Sequence, residues 1–402
     1  MADLHGLRSA EGPGLAYSES PVQGALWVVP HGWLQETGTA AIDPVVRESA
    51  DGPLLFPTDK GDLHFDPFAA AFFALSRHEE WGDLPADAHG RPLTRALHAV
   101  RRGYAQRPVV DEWAHMLLER WRVRHPVAPS PERRYRQVVT VDLDNGFKYR
   151  GRSWWRTLGS WSRDALRGDG FALAERLRVL LGRAHDPYQL GDDTLAWLGD
   201  GADRVLFFVL AADRGPWDHA VPVLHGGYAE YLRGLARRFE IGIHPSYRTS
   251  AQPGLTAQER SRLAHVIGRP VTLSRQHFLR FRTPRTFREL VGMGVAEEHS
   301  MGYHDLPGFR AGTCTPYPWF DLERNEPTAL MVHPFTVMDN TLRDKLHLAP
   351  EKAVEAVLPL IQSVKRVRGT FTGLWHESFL APTGPSAAWR EAVRRIIHAA
   401  RP

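Results

Sequence analysis

From residue 136 onward the chain alternates short apolar runs with longer amphipathic stretches. The runs at 136–142, 204–210, 240–244, 275–281, 328–335 and 370–376 carry β-branched or aromatic residues and read as strands, and 295–301 gives a weaker strand signal. The segments 153–166, 171–181, 228–239, 256–267, 286–293 and 349–367 between them read as helices. Strands that alternate with helices predict parallel βα units and an α/β fold. Seven such strands can close as a barrel or spread as an open, doubly wound sheet. Neither a Gly-rich dinucleotide fingerprint nor a Walker A loop follows the first run, which argues against nucleotide binding.

The amino-terminal part has another pattern. A strand is predicted at 25–30 and a helix at 66–81, with Asp66 as N-cap and Pro67 in the first helical position. Apolar side chains cover too much of this helix's circumference for a surface element, so Phe68, Phe72, Phe73 and Leu75 are expected to be largely buried. A second helix spans 111–121, and a polar loop with Gly and Pro joins the two at 83–95. The Pro- and Arg-rich stretch 125–134 reads as a linker. It divides the chain into a smaller α+β domain, 1–130, and a larger unit, 134–402.

Composition narrows the function classes. Of 402 residues, 43% are hydrophobic and 24% charged, as expected of a globular protein. No apolar run approaches the ~20 residues of a membrane helix, and the N-terminus lacks the apolar core of a secretory signal. The single cysteine, Cys314, rules out an intrachain disulfide and fits a reducing compartment, so a cytoplasmic location is expected. The net charge of +4 is dispersed among acids rather than gathered on a face or tail, which disfavours a nucleic-acid partner.

The ends of the predicted strands carry the candidate chemistry. In parallel β/α architectures the site is built where strands end. The first run ends in Asp142 and Asp144, which share a face if both remain in the strand. Two such carboxylates repel unless a cation lies between them, or they simply cap a turn before Asn145 and Gly146. His244 follows an apolar run and precedes Pro245, and His376 follows Leu374 and Trp375. Either imidazole can be a metal ligand, an acid or base, or a hydrogen-bonded core residue.

Taken in order, these segments resemble the motifs of polysaccharide deacetylases, the NodB-homology family. Residues 140–144 resemble the first motif, 243–247 the second and 374–376 the last, and 275–281 stand in place of the third. Closer still is the resemblance to a subgroup of uncharacterised deacetylase-like proteins with an extra N-terminal domain. It is carried by 66–72, 76–80, 107–112 and the run 301–313. The resemblance implies a (β/α)7-type distorted barrel after the α+β domain. It implies hydrolysis of an N-acetyl or related acyl group on a carbohydrate with a divalent metal, most plainly Zn²⁺. Asp142 would be the base, Arg280 would hold Asp142, and His376 would protonate the leaving group. Asp144 and His244 would bind the metal.

The sequence departs from the family at one position. The second motif usually carries another metal-binding His four residues after the first, and here that residue is Arg248. His277 on the neighbouring strand is expected to supply the missing ligand, with His304 and His333 as the other candidates. In a regular strand, however, His277 and Arg280 face opposite sides. Tyr247, Arg310, Trp319 and Trp375 are taken as substrate contacts. Arg310 could instead pair with an internal acid such as Asp305, and the aromatic loop 317–320 could simply close the fold. Two other functions remain open: a non-catalytic barrel that binds glycans or a partner of polysaccharide synthesis, and an acyl hydrolase built on Cys314.

Overall fold

The computed structural model describes residues 14–126, 132–152, 159, 161, 162, 164, 166 and 168–402. Half of the expected linker at 125–134, and most of the helix expected at 153–166, lie outside them.

The amino-terminal segment is a mixed α and β arrangement. Strands β1 (Leu15–Tyr17) and β2 (Leu26–Val28) pair in parallel, while β3 (Val46–Ser49) and β4 (Gly52–Leu55) form an antiparallel pair. Helices Pro67–Leu75 and Val109–Arg124 pack beside them. The first starts as the sequence predicts: Asp66 is the N-cap, and its carboxylate accepts from the Phe68 and Ala69 amides. It stops six residues earlier than expected. Arg77 turns left-handed (φ 51°), and a 3₁₀ turn, His78–Trp81, follows. The helix is not buried all round. Phe73 is buried, while Phe68, Phe72 and Leu75 are only partly covered. Phe72 meets Trp33 on one side and Phe320, from the carboxyl-terminal unit, on the other. Phe73→Ala is therefore expected to cost about 3–5 kcal/mol in urea unfolding and Phe72→Ala clearly less; equal losses would contradict this packing.

The larger unit is built on a nine-stranded, mostly parallel sheet. Its strands are β5 (Arg136–Leu143), β6 (Arg204–Leu210), β7 (Glu240–His244), β8 (Leu273–Ser274), β9 (Glu297–Glu298), β10 (Tyr317–Asp321), β11 (Glu326–Val332), β12 (Val337–Met338) and β13 (Thr370–His376). Pairing runs in parallel from β5 through β6, β7, β8 and β9 to β11, and β13 pairs in parallel with both β5 and β12. β10 is an antiparallel addition to β11. The stretch from β11 to β12 is continuous and hydrogen-bonds in two directions. His333 and Phe335 donate to the carbonyls of Glu298 and Met301, and Thr336 donates to that of Thr372.

Alternation along the strands sorts side chains to two faces. Val139, Val141, Leu143, Phe207, Val209, Ile241, Ile243, Phe371 and Trp375 join one apolar core with the flanking helices. Helix Pro350–Arg366 contributes Ala353, Val354, Val357, Leu360, Ile361 and Val364 to it, at the spacing of a single helical face. The alternate positions face inward, where Val138, Leu206, Phe208 and Leu273 form a separate small cluster. Gly242 makes that interior possible, since a Cβ there would lie 2.6 Å from the Phe208 ring. Asp142, His244 and His376 continue this inward series at the carboxyl ends of β5, β7 and β13.

One predicted strand is misplaced. In place of 275–281, the strand is Leu273–Ser274, and His277–Leu279 is a 3₁₀ turn. Phe278 and Leu279 adopt positive φ there (61° and 52°), which no strand can contain. Among the described residues no helix is long and apolar enough to cross a membrane.

Candidate metal and catalytic site

Three strand ends and one turn bring the polar cluster together. The parallel register sets His376 beside Asp142 directly. His244 lies at the end of β7, and the turn after β8 carries His277 across to it, with the two rings 5.0 Å apart. Asp144 follows β5 in a loop held by Glu377, whose buried carboxylate accepts from the amides of Asp144 (3.1 Å) and Asn145 (2.6 Å).

Each imidazole is oriented by a partner on its Nδ1. His244 donates to the Arg275 carbonyl (2.6 Å), His277 to Asp218 (2.9 Å) and His376 to Asp339 (2.6 Å). A carbonyl or carboxylate can only accept, so the proton sits on Nδ1 and Nε2 is the nitrogen presented to the site. All three Nε2 atoms face Asp144. His244 is 3.3 Å and His277 3.8 Å from Oδ1, and His376 is 3.7 Å from Oδ2.

Burial opposes ionisation of Asp144, yet the His244 contact and the charges of His277 and His376 outweigh it and hold the carboxyl well below the usual range. Burial likewise disfavours the His376 imidazolium, but the Asp339 carboxylate, with Asp144 and Asp142 behind it, pushes its pKa up to about 10. His244 is raised in the same way: burial opposes, and Asp142 and then Asp144 prevail.

The sign of the His376 shift gives a prediction for the ion-free protein. A folded pKa above the unfolded value means a stabilisation fully present below about pH 6.5 and lost as pH rises through about 10. Asp339→Asn should therefore destabilise most at pH 6 and least above pH 10 when urea unfolding is followed across that range. A loss that does not change with pH would show that Asp339 acts by shape alone.

The donor set fits a divalent cation. Ligand atoms of Asp144, His244 and His277 lie within 4.8 Å of one another. The buried Oδ1 of Asp144 receives no well-aligned hydrogen bond, although His244 Nε2 is near. Two neutral imidazole nitrogens and a carboxylate are a common zinc set. Arg248 is absent from this group; it reaches the Asp213 carbonyl at 3.3 Å instead. Neither alternative His is here. His304 lies 3.7 Å from Asp87 and Asp305, and His333 faces Glu297.

Asp142 is held by Arg275, not by Arg280. The Arg275 Nη1 donates to Asp142 Oδ1 and to Thr140 Oγ1, both at 2.8 Å, and its Nε donates to the His299 carbonyl. Arg280 lies beyond the turn, donates to the carbonyls of His89 and Tyr247, and covers the Tyr247 ring.

The expected substrate contacts divide. Tyr247 is near the site: its amide donates to the same Asp218 that orients His277, and its ring packs with His89, Trp217 and Phe278. Trp217 is half exposed in that aromatic group. The other three are buried elsewhere. Arg310 grips Glu80 of the amino-terminal segment with two hydrogen bonds (3.0 and 2.7 Å). Trp319 stacks on Trp81 and abuts Phe287. Trp375 is fully buried among the helices, because it alternates with the inward-facing Leu374 and His376. Cys314 is buried against Asp111, and burial pushes its thiol well above the ordinary range, which disfavours the thiolate a nucleophile needs. Sequence reasoning did not single out Asp218, Asp339 or Glu377. Glu377 and Asp339 directly follow β13 and β12, and Asp218 comes from the loop after β6; no local pattern shows what each of them holds.

Residues 1–126 match the model of a family of unknown function, DUF7033. No curated protein matches the chain. Among solved structures, it is similar to a protein from Mycobacterium smegmatis assigned to the polysaccharide deacetylases (15% identity, 67% of this chain and 86% of that one, TM-score 0.42). It is also similar to a polysaccharide deacetylase from Bacillus cereus (12% identity, 66% and 87%, TM-score 0.33). A third is a mutant of a CE4-family pseudoenzyme with restored enzymatic activity (12% identity, 68% and 67%, TM-score 0.31).

Proposed function

We propose that the chain is a metal-dependent hydrolase that removes an N-acetyl or related acyl group from a sugar or polysaccharide precursor. In this reading an α+β domain, 1–130, precedes a (β/α)7-type distorted barrel, 134–402. The carrying observation is the convergence of Asp144, His244 and His277 within 4.8 Å, with Asp142 beside His244 and His376 beside the other oxygen of Asp144. The resemblance of residues 140–144, 243–247 and 374–376 to the deacetylase motifs supports the same chemistry.

Asp144, His244 and His277 would hold the ion. Bound there, a divalent metal such as Zn²⁺ supplies Lewis acidity to the acyl carbonyl and to water. Asp142 takes the proton of the attacking water, since its Oδ2 faces the metal-binding His244 at 3.7 Å while Arg275 fixes Oδ1. Arg275 is a positioning residue: its hydrogen bond to Oδ1 keeps Asp142 aimed. His376 gives a proton to the departing amine through Nε2, and Asp339 keeps that imidazolium charged at neutral pH. Tyr247 and Trp217 line the approach as a surface for a sugar ring.

Acetate release from N-acetylglucosamine oligomers tests this. Release is expected in Zn²⁺, lost after chelation, restored by Zn²⁺ and absent in His244→Ala. Release that survives both chelation and His244→Ala contradicts a metal-dependent reaction. Tight oligomer binding with no release favours the non-catalytic glycan-binding alternative.

A further inference from the structure

A second group of metal-type side chains lies away from this site. Ligand atoms of Glu297, His299 and His333 lie within 4.8 Å of one another. His299 Nε2 is 3.1 Å and His333 Nε2 3.4 Å from the same oxygen, Glu297 Oε2, and the two rings stack with centroids 4.6 Å apart. His299 is 1% exposed, and its Nδ1 has no hydrogen-bond partner.

The group lies beside the amino end of β6. Glu297 contacts Arg204, the first residue of β6, at 3.0 Å. The β6 residue opposite Asp142 is Phe208, four positions further on, or about 13 Å along the strand. The mechanism above uses none of these side chains.

An ordinary ion-pair network explains the cluster poorly. Arg204 already donates to Glu297 Oε2 at 3.0 Å, so two imidazole N–H groups would crowd onto that same oxygen. Two imidazoles meeting at one carboxylate oxygen suit a cation better than a second and third hydrogen bond to it. Arg204 need not leave, because Glu240 grips it with two bonds and Glu297 Oε1 is 3.4 Å away.

We propose that Glu297, His299 and His333 form a second divalent-metal site, structural in role, that ties β9 to the chain leaving β11. β9 is two residues long and pairs through only two positions with each neighbour. The chemical class is a borderline divalent transition metal such as Zn²⁺, given two imidazoles and one carboxylate. Binding should stabilise the folded chain by mass action.

Zinc content after exhaustive chelation, Zn²⁺ reloading and removal of unbound ion tests the proposal on the full chain. Wild type is expected to retain about two equivalents, and His333→Ala and His244→Ala about one each. Equal zinc in wild type and folded His333→Ala overturns the inference. The His244→Ala protein leaves this cluster untouched and is the second arm. It must still bind about one equivalent and melt higher with Zn²⁺ than without, and failure there overturns the inference even if His333→Ala does not fold. If His244→Ala instead holds as much zinc as wild type, the catalytic-metal reading fails while this one stands.

Discussion

Asp142→Asn is expected to lower the turnover of an acylated sugar by about 10²–10⁴-fold while zinc remains bound. Asparagine has nearly the same shape, and its carbonyl can still accept from Arg275, so the fold around β5 is preserved. What disappears is the basic oxygen that faces His244 at 3.7 Å. Because Asp142 is not in the Asp144, His244 and His277 group, metal content should be unchanged. The comparison therefore separates the base from the ligands. An Asp142→Asn protein that turns over within about threefold of wild type places the base elsewhere.

Arg275→Met should have the largest effect on stability, on the order of 3–5 kcal/mol. The guanidinium is fully buried, contacts Thr140, Asp142 and the His299 carbonyl, and lies over the Phe208 ring. Its removal leaves the Asp142 carboxylate in the interior without its cation. Adding Asp142→Leu removes that orphaned charge, so the double variant should be less destabilised than the sum of the single changes. Strict additivity in urea unfolding would show that the two residues are not coupled. Arg280→Met should cost much less, because its contacts are with surface-loop carbonyls and the Tyr247 ring.

The contrast between these two arginines shows what the sequence could and could not convey. The runs 136–142, 240–244 and 370–376 were legible because β-rich stretches end abruptly in Asp or His, and 204–210 because six of its seven residues are apolar. Position 275–281 was not, since its apolar residues imitate a strand while Phe278 and Leu279 turn the chain through positive φ. That turn puts His277 beside Asp144 and carries Arg280 away, which leaves Asp142 to Arg275. Trp375 was decidable from parity alone, because its neighbour His376 faces inward. Arg310 and Trp319 were not decidable. Their partners, Glu80 and Trp81, come from a segment more than two hundred residues earlier in the chain, and no local pattern joins them. Asp218 orients His277 from a loop and Asp339 orients His376 from the residue just after β12, so only the folded arrangement reveals them.

The central claim is that Asp144, His244 and His277 together hold a metal beside Asp142. Anomalous diffraction at the zinc edge from Zn²⁺-soaked crystals tests it most directly. The account predicts a peak about 2.0–2.2 Å from an Asp144 oxygen and from Nε2 of both His244 and His277. A structure with no peak among these three residues at saturating Zn²⁺, or with His277 still turned only to Asp218 and a different side chain in its place, would contradict it.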